Sequence, residues 1–182
     1  MLFSDRSYPE IEVGAAGWSD LLGGVVIGGY DVVTAAFRWA VVPLKYFQGE
    51  AFAKKSYLSK ARHVVIKLLG DLRADKRFYA VALCPIYMLT DAARALRVNG
   101  WKVTRRPIKG RCQELVEERY CKELIKLGVP SRTVRNSVSG RNRFYPLFEW
   151  VKEDPEAREQ FVKTGWESWP TKWRSRSYAR KS

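Results

Sequence analysis

LLGGVVIGGYDVVTAAFRWAVVPL, running from Leu21 to Leu44, is the most apolar stretch of the chain. It has about the length a helix needs to cross a bilayer core of roughly 30 Å. Two charges interrupt it, Asp31 and Arg38, each costing roughly 2.5 to 3.5 kcal/mol at a bilayer centre. Two helical turns apart, they would project from nearly the same face, where only neighbouring helices could neutralise or hydrogen-bond them. Gly24 and Gly28 form a GxxxG step flanked by Gly23 and Gly29, a smooth patch on which another helix can approach closely. Trp18 lies near one end, and Trp39 and Tyr46 near the other, where headgroups favour aromatic rings. These features predict a glycine-rich helix over 21–44, packed in a membrane. The same residues also fit a buried helix of a soluble protein, or a pair of strands broken at Gly28-Gly29.

Outward from this stretch the charge is uneven. The 182 residues hold 33 Lys+Arg against 19 Asp+Glu, a formal charge of +14. Residues 1–50 carry six acids and three bases, which leaves 30 bases and 13 acids for the rest. With residues 1–20 as an irregular acidic arm and 21–44 as one span, the positive-inside tendency puts the basic part on the negative side of the membrane. Hydrophobic residues make up 46% of the chain and aromatics 13%, which excludes a disordered polycation.

Residues 45–139 read as a basic helical region. Val64, Val65, Leu68, Leu69 and Leu72 recur at helical spacing, and Leu115, Val116, Leu124 and Ile125 mark a second helix from Gln113 to Leu127 ended by Gly128 and Pro130. Phe78 to Thr90 reads as a short core or re-entrant helix broken by Pro85. Ser131 caps a short helix in the stretch YCKELIKLGVPSRTVRNSVSG. With Arg132, Thr133, Arg135 and Asn136 exposed, that stretch resembles a helix-turn-helix DNA-reading unit, or a plain helix pair within a core. Residues 140–182 read as an extended aromatic and basic tail, apart from a helix at Pro155 to Lys163. Trp166, Trp169 and Trp173 alternate there with cations including Arg174 and Arg176, a composition that suits RNA bases, a membrane interface or a protein groove.

The chemistry of a catalyst is not legible. Cys84, Cys112 and Cys121 form no CxxC pair, His63 is the single histidine, and no P-loop or GxGxxG is present. No catalytic residue, metal ligand or cofactor is therefore expected. The fold class expected is mainly α: a transmembrane or buried glycine-rich helix, a small helical basic domain and an extended tail.

This plan resembles the supernumerary subunits of mitochondrial inner-membrane respiratory complexes, and VSGRNRFY, Val138 to Tyr145, is similar to a segment of a very small accessory subunit of complex I. The resemblance implies a non-catalytic accessory subunit of a respiratory complex or ATP synthase, in the mitochondrial inner membrane with its C-terminal region on the matrix side. Its partners would be other subunits and anionic lipid. The charge and the tail support a second reading, a nucleic-acid-binding protein, either ribosomal or a DNA reader. A virus-encoded protein with a membrane helix and an RNA-binding domain would use the same features.

Overall fold

In the computed structural model, which describes residues 8–135 and 140–179, residues 21–44 do not form a helix. They fold into strand β2, Val25–Asp31, and strand β3, Phe37–Val42, joined by a tight turn. Strand β1, Glu10–Ala16, occupies what reads in sequence as an irregular arm. With β4, Ala80–Leu83, and β5, Lys102–Arg105, these make a five-stranded sheet in the order β3-β2-β1-β4-β5. The β1/β2 and β2/β3 pairs are antiparallel, whereas β1/β4 and β4/β5 are parallel.

The mainly α expectation is therefore corrected to an α/β fold with a mixed sheet, and no helix among the described residues is long and apolar enough to cross a membrane. The physical reason lies in burial on both sides. A strand covered on both faces reads as an unbroken apolar run, without the alternation that marks a half-exposed strand. Val25 and Ile27 join the core under one helical layer, and Val26 joins the core under the other.

The first layer is built from α2, Ser56–Asp71, and α3, Thr90–Val98, which follow a short helix α1, Gly49–Ala53. Ala61, Val65 and Leu68 of α2 and Ala92 and Leu96 of α3 meet Ile11, Val13, Val81 and Leu83 of the sheet. Helix α4, Arg111–Lys126, covers the opposite face with Val116, Tyr120 and Leu124. Behind α4 come α5, Ser131–Arg135, α6, Gly140–Glu153, α7, Pro155–Arg158, and α8, Arg174–Tyr178.

The glycines that suggested helix packing in lipid do a different job here. A Cβ built on Gly28 would lie 2.4 Å from Val116 Cγ1 and 2.6 Å from the Phe37 ring, and one on Gly24 would lie 2.2 Å from the Val42 carbonyl oxygen. They let α4 and β3 press against the strand backbone. Asp31 and Arg38 do not meet a neighbouring membrane helix either. Asp31 is buried and closes the β2–β3 turn, accepting hydrogen bonds from the Val33 amide (2.9 Å), the Thr34 hydroxyl (2.8 Å) and the Tyr79 hydroxyl (3.2 Å). Burial pushes its carboxyl up, but the bonds from Thr34, Val33 and Tyr79 outweigh that and hold it below the usual carboxylate range. Arg38 lies exposed on the edge strand β3 and donates to its neighbour's carbonyl, that of Phe37.

Candidate nucleic-acid interface

The tail is folded rather than extended. Trp166 packs on Trp18 and Phe52 with ring centroids 5.3 and 5.1 Å away. Trp169 is buried and its indole N–H donates to Glu159 at 3.0 Å. Trp173 sits 4.7 Å from Phe144 and 5.1 Å from Phe148. Glu159 also holds Arg174 (2.7 Å) and the Tyr178 hydroxyl (2.8 Å), so one carboxylate gathers three residues of the C-terminal segment. Of the expected tail contacts, Arg176 alone is left exposed without an ion pair among the described residues, lying 5.4 Å over the Trp173 ring. Trp169 thus belongs to the core, while Trp166 and Trp173 pack on other rings and remain half-buried.

The helix-turn-helix expectation is met only in outline. Gly128 takes a positive φ of 96° after α4, and Val129 and Val134 are buried beneath α5. Arg132 is exposed, while Arg135 is turned back onto Ser131, its guanidinium donating to the hydroxyl at 3.0 Å. Asn136 lies outside the described residues.

A cationic surface to which the sequence reading assigned no site, although the stretch from Trp101 to Arg111 reads as basic and extended, runs along the edge strand β5. Between Asp91 and Glu114 the chain carries seven bases and no acid: Arg94, Arg97, Lys102, Arg105, Arg106, Lys109 and Arg111. They run from α3 through the edge strand β5 to the start of α4. Arg105, at the end of β5, ties down the β4–α3 loop by donating to the Ile86 carbonyl at 2.6 Å and the Thr90 hydroxyl at 3.3 Å. Its Nε is buried with no partner among the described residues.

Beside that loop stands the first turn of α2. Lys55 precedes the helix with a φ of +53° and donates to the Tyr87 hydroxyl at 3.1 Å, a bond that raises its pKa. A recess of about 710 Å³ opens here, lined by Tyr46, Lys54, Lys55, Ser56, Leu58, Ser59, Lys60, His63 and Asp91. Lys60 makes no ion pair or hydrogen bond with any described residue. The acid of the recess, Asp91, is already engaged by Arg62 at 3.2 Å and by Arg94. The signal available in the sequence was the acid-free run itself. What hid it was the absence of any cue that residues 54–60 fold next to 86–105.

Other groups on the sheet offer little chemistry. Glu10 and Glu12, on one face of β1, are both held by Arg106, at 2.6 and 3.0 Å. Burial raises the thiols of Cys84 and Cys121 and pushes that of Cys112 up to about 12, which favours the unreactive protonated form. No group of three His, Cys, Asp or Glu among the described residues could hold a metal ion. The sequence matches no family model and no curated protein.

Proposed function

We propose that this chain is a non-catalytic α/β module that binds nucleic acid through the basic edge of its sheet. The observation that carries the reading is the run of seven bases without an acid between Asp91 and Glu114, on α3, the edge strand β5 and the start of α4; Arg94, Arg106 and Arg111 are ion-paired, which leaves Arg97, Lys102, Arg105 and Lys109 to meet a partner. A phosphate backbone is the partner such a surface recognises best, because each cation that meets a phosphate releases condensed counterions. Arg105 and Lys109 lie at and beyond the carboxyl end of β5, where open α/β sheets tend to bind ligands. Carboxylates already neutralised by arginines and thiols with raised pKa values support binding over catalysis. The membrane-subunit reading rested on residues 21–44 spanning a bilayer, and with those residues in the sheet it is not carried forward.

Titrating a labelled oligonucleotide at two salt concentrations tests the proposal. With about four phosphate contacts, affinity falls roughly 50- to 150-fold between 50 and 200 mM salt. Lys102→Glu and Lys109→Glu, both at exposed positions, each weaken binding across sequences and lower the salt slope by about one. Association that ignores salt, or none at 50 mM, overturns the reading.

A further inference from the structure

The nucleic-acid reading leaves open whether the partner is a duplex or a single strand, and the recess at the start of α2 bears on that choice. Its lining combines Lys54, Lys55 and Lys60 with the ring of Tyr46, and Tyr87 stands beside it, joined to Lys55. Lys55 Nζ lies 5.4 Å from the Tyr87 ring centroid and Lys45 Nζ lies 5.5 Å from that of Tyr46. Tyr87 is 48% exposed although its hydroxyl is already engaged by Lys55. The Tyr87 hydroxyl accepts from Lys55 and keeps its own O–H to donate, while the exposed ring offers a partner a flat apolar surface.

Duplex and single strand would use this place differently. In a duplex the bases are stacked inside and only phosphates could reach a concave site. A single strand presents both phosphates and unstacked bases, and aromatic side chains next to cations are what capture the two together. The recess, about 710 Å³, is shallow and open to solvent, so a strand can lie across it. Lys60, without an ion pair or hydrogen bond among the described residues, and Lys54, whose ion pair to Glu50 at 2.6 Å is exposed to water, are available to phosphates. Asp91, occupied by two arginines, does not repel them.

We infer that the recess at the start of α2 takes single-stranded nucleic acid, with phosphates on Lys54 and Lys60 and a base stacked on Tyr87 at its rim beside Lys55. This rests on the nucleic-acid reading and adds a strand preference and a place. The site is separate from Lys102 and Lys109 of the β5 side, so the two surfaces can be altered one at a time.

The experiment is fluorescence anisotropy of the full chain with a labelled single-stranded oligonucleotide and with a duplex of the same sequence. Single strand is expected to bind roughly tenfold or more tightly than duplex, the order of gain that one stacked base supplies. Tyr87→Ala removes most of that preference and leaves duplex affinity unchanged, whereas Tyr87→Phe retains it. Lys60→Glu weakens single-strand binding in the same assay. Equal affinity for the two forms, or a Tyr87→Ala variant indistinguishable from the parent, overturns the inference while leaving the basic-surface reading intact. Failure to bind either form at low salt removes both.

Discussion

Lys163 is fully buried, and its ammonium donates to the carbonyl oxygens of Gly17 (2.8 Å), Asp20 (2.8 Å) and Leu22 (2.9 Å). Three acceptors need three N–H bonds, which only the charged form supplies. Burial nevertheless pulls the pKa down to about 7, with Asp20 opposing. Close by, Arg143 is buried between Asp20 at 3.1 Å and Glu117 at 2.7 Å; burial works against its charge, and the two carboxylates outweigh it. Removing one partner from such a site leaves buried polar groups unpaired, so Lys163→Met is expected to cost about 3–5 kcal/mol in urea denaturation. The sign of its pH dependence follows from the lowered pKa. Between pH 7 and the ordinary lysine range the unfolded chain holds more protons than the folded one, so this residue makes stability rise with pH there. The variant should lose that contribution, which is read as the difference between the two slopes. An unchanged slope together with a cost below ~1 kcal/mol would contradict the assignment. None of this was legible beforehand: Lys163 and Arg143 looked like tail charges because their partners lie far back along the chain.

At the scale of elements, legibility followed periodicity. The apolar spacing of Val64, Val65, Leu68 and Leu69 located α2, and the residues flanking Leu124 with Gly128 after them located α4 within two residues at its start. Both helices are half exposed, so the 3.6-residue repeat shows. β2 and β4 gave no such signal, since they are covered on both faces, whereas β1 does alternate, Glu10-Ile11-Glu12-Val13, over a piece too short to set it apart from an irregular arm. Continuous apolar character over Leu21–Leu44 fits a helix as well as two strands; the break between the strands falls at 32–36, after Asp31, rather than at Gly28-Gly29. Gly28 distinguishes the two structures by experiment. On a helix in lipid an alanine in a GxxxG step relaxes a helix contact, whereas on β2 its Cβ would be driven against Val116 and Phe37. Gly28→Ala should therefore destabilise by about 1–3 kcal/mol in chemical denaturation, the usual penalty of overpacking. A compensating Val116→Ala, which removes the atoms it meets, should restore part of that loss.

For the whole molecule, the charge asymmetry of the sequence does not become an asymmetry of two ends. The acids near the start are drawn into the basic part, Glu10 and Glu12 by Arg106 and Asp20 by Arg143. What remains is a net charge of +14 on one folded body, with the acid-free run that holds the most bases along the edge strand of the sheet. Such a body repels itself, and the repulsion is relieved by screening or by an anionic partner. A ligand that binds only the folded state at 100 times its dissociation constant adds about 2.7 kcal/mol of stability. For a chain of this size that is a rise of roughly 5–10 °C in Tm. Differential scanning fluorimetry with a single-stranded oligonucleotide at low salt should show such a shift. It should disappear in 1 M salt, where the screening length falls to about 3 Å. A shift that survives 1 M salt would mean that the partner is held by apolar contacts, and the cationic edge of the sheet would then not be its docking surface.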